Sequence, residues 1–254
     1  MDQQRGSEDT RPVFFFDIDN CLYSRGKPLA GFFLFDGSSV EDKLLTGQYP
    51  DQFFAKHLSL SIDDAVMLHN KYYKEYGLAI EGLTRNHKID PLEFNSGVDD
   101  ALPLDSILKF DPALRRFLED FDTSKVKLWL FTNAYINHGR RVVKLLGVDD
   151  LFEGITYCDY AQQPLICKPH AKMFEKAERE AHAPGIDQCF FVDDSQLNCR
   201  HAQARGWITV HFVEPGLPVP PIPASKFMIR NLEELRELFP QFFKPKIGEN
   251  IKAL

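Results

Sequence analysis

Two aspartates separated by a single residue carry the first chemical signal in this sequence. Asp17 and Asp19 come directly after an apolar run at residues 13–16. One carboxylate can attack phosphorus and form a covalent intermediate, and a second carboxyl group can protonate the leaving group and then activate water. A lone Asp-x-Asp pair more often belongs to a turn or a solvated loop, so its meaning depends on its neighbours in the fold.

Further polar groups lie just beyond two other apolar runs, or at the start of the helical stretch that precedes one of them. They are Thr132, Asn133, Lys168, Asp193, Asp194 and Asn198. In an open parallel sheet, ligands bind beyond the carboxyl ends of the strands. These side chains are therefore predicted to converge with the two aspartates, because an accidental match would require four separate coincidences at strand ends.

Four continuous apolar runs are typical of strands buried on both faces of a parallel sheet. They lie at residues 13–16, 128–131, 189–192 and 208–213. Helical patterns separate them at 137–146, at 169–182 with a proline in the first turn, and at 195–205. The alternation predicts an α/β fold, a doubly wound, Rossmann-like parallel sheet with right-handed crossovers.

The segment between the first two strands is too long for a crossover. Residues 24–107 contain helix-like stretches near 63–76, 78–87 and 91–101, and they predict a helical subdomain inserted into a core of residues 12–23 and 108–243. Residues 28–58 give no consistent pattern. Residues 1–11 are predicted to be disordered, and residues 244–254 are predicted to be flexible. Residues 215–223 are predicted to form an extended proline-rich connector. Residues 231–239 are predicted to form a helix capped by Asn231.

Composition limits the classes of partner. The net charge of −7 argues against a nucleic acid polymer, because such binding depends on clustered Lys and Arg. The five cysteines form no CxxC pair and are expected to be reduced, buried thiols. No leader pattern and no run of about 20 apolar residues is present, so we expect a soluble protein of the cytoplasm, with the nucleus also open, and no membrane partner.

In combination, the polar motifs resemble those of the haloacid dehalogenase superfamily of phosphohydrolases. The matching stretches are DIDNC at 17–21, FTN at 131–133, CKP at 167–169 and VDDSQLN at 192–198. The stretches FFFDIDNCLY, KLWLFTNAY and DLFEGITYCDY are more narrowly similar to the pyrimidine 5′-nucleotidase branch. The resemblance identifies the inserted subdomain as a cap, and it extends there to the stretches KYYKEYGLAIEGL, HKIDPLEFN and VDDALPL. Residues 28–58 depart from the plain helix that the family has at the start of the cap.

The resemblance and the chemistry together imply roles for these residues. Asp17 is the predicted nucleophile, and Asp19 is the predicted general acid and base, with a pKa raised by burial and by neighbouring carboxylates. Mg²⁺ is the implied cofactor. Its predicted ligands are Asp17, the main-chain carbonyl of Asp19, and Asp194, supported by Asp193 and Asn198. The predicted phosphate-binding groups are Thr132, Asn133 and Lys168.

The implied activity is Mg²⁺-dependent hydrolysis of a small phosphate monoester, with a pyrimidine nucleoside 5′-monophosphate as the favoured substrate. A phosphosugar phosphatase or mutase of the same superfamily stays open, as does a catalytically silent protein that binds a phosphorylated ligand. The presence of Asp19 disfavours a dehalogenase, which needs no general acid. Two other groups are predicted to be structural. Residues 138–141 are expected to form a solvated first helical turn rather than a phosphate clamp. Tyr72, Tyr73 and Tyr76 are expected to form the core of the cap rather than a platform for base stacking.

Overall fold

The computed structural model describes residues 9–23 and 48–245, and within them lies a six-stranded parallel sheet. The strands are β1 (Val13–Phe16), β2 (Lys127–Phe131), β3 (Gly154–Thr156), β4 (Cys189–Asp193), β5 (Ile208–Phe212) and β6 (Phe227–Ile229). Their order in the sheet is β3-β2-β1-β4-β5-β6. This order reverses direction between β1 and β4, which is the arrangement of a doubly wound sheet and confirms the predicted α/β fold.

The central strand is apolar on both faces because hydrophobic clusters cover both sides of it. Phe14 and Phe16 point into one cluster, and Phe15 stacks on Trp207 in another, with ring centroids 4.6 Å apart. All four residues of β1 are fully buried. The strand is therefore enclosed on both faces, and the main-chain N–H of Asp17 continues its pairing by donating to the carbonyl of Val192 at 3.0 Å.

Ten α-helices are described. They are α1 (Gln48–Leu58), α2 (Ile62–Tyr76), α3 (Ala79–Asn86), α4 (Pro91–Gly97), α5 (Leu104–Ile107), α6 (Pro112–Glu119), α7 (Ile136–Leu146), α8 (Ala171–Glu180), α9 (Gln196–Arg205) and α10 (Leu235–Leu238). The predicted ends of α7 and α9 are confirmed, because Gly147 and Gly206 follow them in the left-handed conformation.

Some element boundaries differ from the prediction. Pro169 does not start α8, because the side chain of His170 accepts a hydrogen bond from the N–H of Lys172 and caps the helix after the proline. The predicted helix at 231–239 is a 3₁₀ turn followed by α10, and Asn231 caps that turn in a capping box. Strands β3 and β6 were not predicted, since each is only three residues long.

Residues 48–107, the described part of the predicted insertion, contain helices and no strand. The predicted stretches correspond to α2, α3 and a shorter α4. Of the unassigned residues 28–58, α1 accounts for the end, and residues 28–47 lie outside the described residues. The segment has a hydrophobic cluster of its own, which includes Phe54, Ile80 and Leu83 and packs on the loop that carries Cys158 and Cys167.

The described ends of the chain are bound to the sheet region. Arg11 donates to the carbonyl of Thr123 at 2.6 Å and pairs with Glu153 at 2.9 Å, so residues 9–11 differ from the predicted disorder. At the other end, the N–H of Lys244 donates to the carbonyl of Asp120 at 2.8 Å. Residues 1–8 and 246–254 lie outside the described residues. All five cysteines are free and buried, and no described helix has the length and apolar character needed to cross a bilayer.

Candidate active site

A buried lysine links two carboxylates that come from different strands. The ammonium group of Lys168 donates to Asp17 Oδ1 at 2.8 Å, to Asp193 Oδ2 at 2.7 Å and to the carbonyl of Phe131 at 2.7 Å. Its side chain is only 1% exposed. These three bonds use all three protons of the ammonium group, so in this structure Lys168 acts on the cavity through its charge.

The loop after β4 is built around Asp193. Its Oδ1 accepts from the N–H of Ser195 at 2.7 Å, and the side-chain amide of Asn198 donates to both of its carboxylate oxygens, at 3.2 and 3.1 Å. The ring of His211 on β5 donates to the main-chain carbonyl of Asp194 at 3.1 Å, an interaction that the sequence did not indicate. Asp193 is thus fully hydrogen-bonded and fixes the loop that presents Asp194.

The cavity has more negative than positive charge. Burial raises the pKa of Asp17 well above its usual value, the charge of Lys168 opposes this rise, and Asp193 and Asp194 add to it. Oxygen atoms of Asp17, Asp193 and Asp194 lie within 4.8 Å of one another. Carboxylate oxygens in such a group are the donors that Mg²⁺ prefers, so these residues fit the implied metal.

Asp19 is held by two side chains. Its Oδ1 accepts from Tyr23 Oη at 2.7 Å and from His138 Nε2 at 2.8 Å. Burial alone would raise the pKa of Asp19, but the charge and hydrogen bond of His138 and the hydroxyl of Tyr23 outweigh it and lower the pKa. Burial alone would lower the pKa of His138, but Asp19 raises it to about 9. The predicted upward shift for Asp19 is therefore wrong in this state of the protein.

His138 also corrects the expectation that residues 138–141 form a solvated turn. The side chain of His138 is only 7% exposed, and Gly139 beside it is buried too. Sequence reasoning missed this residue as a partner of the site. The available signal was its place in the first turn of α7, which starts at the same sheet edge as Thr132.

Thr132 and Asn133, the two residues after β2, have different hydrogen-bonding roles. Thr132 is fully buried, and its Oγ1 accepts from the N–H of Ala134 at 3.0 Å, which leaves the hydroxyl proton free to be donated. The side chain of Asn133 is committed to the main chain of Lys168: it accepts from the N–H at 2.6 Å and donates to the carbonyl at 2.9 Å. Asn133 thereby fixes the position of Lys168.

A cavity of about 330 Å³ brings these groups together. Of the predicted site residues, the following line it: Asp17, Asp19, Thr132, Asn133, Lys168, Asp194 and Asn198. Asp193 lies behind them. A larger cavity of about 670 Å³ has mainly apolar walls and contains none of the carboxylates after β1 or β4. The predicted polar groups thus converge in the smaller cavity, which makes it the candidate active site.

The helical segment supplies the opposite wall of the smaller cavity. His69, Asn70 and Tyr73 of α2 line it, and His69 Nδ1 is hydrogen-bonded to Asp51 Oδ1 at 2.8 Å. Tyr72 is buried as predicted, but Tyr73 is 46% exposed and does not belong to the core of the segment. The helix meets the sheet edge at Gly77, where an added Cβ would lie 2.8 Å from the carbonyl oxygen of Lys168.

Asp99 is another acidic group in this wall. Burial raises its pKa to about 6, an effect that the charge of His138 partly offsets. Between pH 4 and 6 the folded state binds more protons than the unfolded state, so this residue lowers stability as the pH rises through that window. Asp99→Asn should therefore stabilise the protein above pH 6 by about 1–2 kcal/mol, a value discounted for partial exposure.

Thermal unfolding checks this expectation. At pH 7.5 the Asp99→Asn variant should melt about 3–6 °C above the unchanged protein, and the gap should narrow as the pH falls toward 5. The neighbouring, exposed Asp100 is the matched control, and its replacement by asparagine should leave the melting temperature nearly unchanged. A gap that is constant with pH would contradict the assignment.

Comparisons with known proteins identify the family of this chain. Residues 12–204 match the family described as haloacid dehalogenase-like hydrolase. The chain is 40% identical over 216 residues to "Phosphate metabolism protein 8" of Saccharomyces cerevisiae, with 82% of this chain covered. It spans 63% of the length of that relative.

Two solved structures show the same fold at low identity. A haloacid dehalogenase-type phosphatase from Thermococcus onnurineus superposes with a TM-score of 0.58 at 17% identity, covering 90% of this chain and 97% of that one. A hydrolase from Pseudomonas syringae superposes with a TM-score of 0.60 at 17% identity, covering 92% and 100%. On the family match and the relative in yeast together, this chain belongs to the haloacid dehalogenase-like hydrolases.

Proposed function

We propose that this hydrolase is a phosphatase that removes phosphate from a small monoester through an aspartyl-phosphate on Asp17. One observation carries the proposal: Asp17, Asp19, Lys168 and Thr132 line a single cavity at the carboxyl ends of β1 and β2. A carboxylate nucleophile, an acid–base carboxyl group, a buried cation and a hydroxyl donor are the groups that phosphoryl transfer through a covalent intermediate requires.

Mg²⁺ is the proposed cofactor. Asp17 and Asp194 would hold it, with the main-chain carbonyl of Asp19 as the third protein ligand. Asp193 is the less suitable ligand, because both of its oxygens already accept hydrogen bonds. A bound Mg²⁺ would supply positive charge to the phosphoryl oxygens and would relieve the repulsion among the carboxylates.

The chain's own residues perform the steps. Asp17 attacks phosphorus while Lys168 balances its charge, and Thr132 donates to a phosphoryl oxygen. Asp19 passes a proton to the leaving oxygen and afterwards takes a proton from the water that attacks the aspartyl-phosphate. A bound phosphate dianion raises the pKa of Asp19 by like-charge repulsion, which favours the protonated form needed in the first step.

Residues 24–107, of which 48–107 are the described helical segment, are proposed to act as a cap that selects the leaving group. The cavity volume of about 330 Å³ suits a nucleoside monophosphate. On its far wall lie Tyr73, an aromatic residue, and Asn70, whose amide carries both a donor and an acceptor for a base edge. These groups, together with the resemblance to the 5′-nucleotidase branch, support a pyrimidine nucleoside 5′-monophosphate as substrate.

A phosphate-release screen tests the proposal. UMP and CMP should be hydrolysed faster than AMP, GMP and sugar phosphates, and EDTA should abolish the activity until excess Mg²⁺ is added. A preference for a sugar phosphate would support the proposed phosphatase activity but would contradict a nucleotide as the substrate. Activity that persists in EDTA would reject the metal, and phosphate moved within a sugar phosphate without release would indicate a mutase.

A further inference from the structure

Both side-chain hydrogen bonds that reach Asp19 arrive at the same oxygen atom. Tyr23 Oη lies 2.7 Å and His138 Nε2 lies 2.8 Å from Oδ1. In the described part of the chain, no side chain donates to Oδ2. Among the described residues, two side chains therefore hold Oδ1 and none holds Oδ2, so the two carboxylate oxygens are not equivalent.

We propose that His138 and Tyr23 are positioning residues that hold Oδ1 of Asp19 so that Oδ2 faces the leaving group. This inference rests on the phosphatase activity proposed above, and it adds the device that aims the acid–base carboxyl group. The proton donated in the first step then leaves from Oδ2, and the proton of the attacking water returns to the same atom.

The packing of α7 shows how this arrangement is built. The helix lies close to β3 and to the loop after β1 at Gly139, where an added Cβ would be 2.9 Å from Ile155 Cδ1 and 3.2 Å from Ile18 Cδ1. The absence of a side chain there allows the first turn to approach the sheet and brings His138 to Asp19 across 119 positions of sequence.

A purely structural role would not explain a buried imidazole at this position. Its Nδ1 atom is buried and has no hydrogen-bond partner within the described residues, so His138 incurs a desolvation cost that an apolar residue would avoid. The hydrogen bond between His138 and Asp19 offsets that desolvation cost. Hydrogen bonds to charged groups are among the stronger ones, and without them the carboxylate could rotate about its last torsion.

Variants of His138 and Tyr23 distinguish an effect on the orientation of the Asp19 carboxyl group from an effect on folding. His138→Ala should lower kcat for a nucleoside monophosphate by about 10- to 100-fold with little change in KM. It should lower the phosphorylation step with p-nitrophenyl phosphate by less than about threefold, because p-nitrophenolate leaves without a proton. Tyr23→Phe should show the same pattern with a smaller loss, about 3- to 10-fold.

Conservative rescue and a matched control complete the design. In His138→Gln the amide nitrogen can take the place of Nε2, and this variant should recover kcat to within about fivefold of the unchanged protein. Arg140→Ala changes an exposed residue of the same helical turn and should leave both reactions unaffected. Equal losses on both substrates in His138→Ala, or no recovery in a folded His138→Gln, would overturn the proposal.

A readout that needs no turnover keeps the inference independent of the substrate. The sheltered Nε2–H proton of His138 should give a downfield proton NMR signal that is absent in His138→Ala and shifted in Asp19→Asn and Tyr23→Phe. A signal that stays in place in Asp19→Asn would overturn the proposed contact whatever the activity. If the signal behaves as expected in the variants but the unchanged chain hydrolyses no monoester, the proposed function is refuted and the contact stands.

Discussion

Asp17→Asn should reduce the hydrolysis of every phosphate monoester by about 10³-fold or more, because the amide cannot attack phosphorus. The fold should survive the change. An asparagine Oδ1 can still accept the hydrogen bond from Lys168, and one of several crowded negative charges is removed. Steady-state rates on UMP and p-nitrophenyl phosphate measure the loss, and circular dichroism checks the melting temperature.

A matched variant shows whether the loss is specific to this aspartate. Asp187 is exposed in the turn before β4, at the opposite edge of the sheet, and Asp187→Asn should keep nearly full activity. Acid-quenched protein from a reaction with labelled substrate should carry phosphate in the unchanged chain and none in Asp17→Asn. Residual turnover above a few per cent would rule out Asp17 as the nucleophile.

Asp19→Asn should slow the hydrolysis of UMP far more than the phosphorylation step with p-nitrophenyl phosphate. The nucleoside alkoxide has a high pKa and needs a proton as the P–O bond breaks, whereas p-nitrophenolate does not. General acids contribute about 10²- to 10⁴-fold, so the two substrates should differ by about 10²-fold or more in this variant. Single-turnover kinetics on both substrates measures the difference.

The same variant should also accumulate the intermediate. Because Asp19 is proposed to activate the water that releases phosphate, Asp19→Asn should give a burst of p-nitrophenol followed by slow turnover. Equal losses on both substrates without a burst would assign Asp19 to the metal site or to structure. Asp159→Asn serves as the control and should show neither effect, because Asp159 lies in the loop beyond β3 and its Oδ1 accepts from the N–H of Ala161, which an asparagine Oδ1 can also do.

The sequence by itself determined the strands that carry the candidate site and the residues at their ends. Continuous apolar runs are local signals, and a run such as residues 13–16 has no stable place except inside a covered sheet. The position of Asp17 follows, since the residue after such a strand must emerge at the edge where ligands bind. The same reasoning places Thr132 and Asp193, and the structure has both at strand ends.

The short strands show where local signals stop. β3 and β6 have three residues each, and Gly154 and the 43%-exposed Met228 interrupt any apolar run. They exist because β2 and β5 offer them main-chain partners. Pairing across the sheet, which no window of sequence contains, decided their place.

Only the tertiary structure decided which side chains hold Asp19 and in which direction its pKa shifts. From the sequence, burial and neighbouring carboxylates are expected to raise the pKa of Asp19. The hydrogen bonds from His138 at 2.8 Å and Tyr23 at 2.7 Å lower it instead. Electrostatic and hydrogen-bond energies fall steeply with distance, and the sequence does not encode distance between residues that lie on separate elements. The residue types at the strand ends could therefore be read from the chain, while the state of each group was set by neighbours that only folding brings into contact.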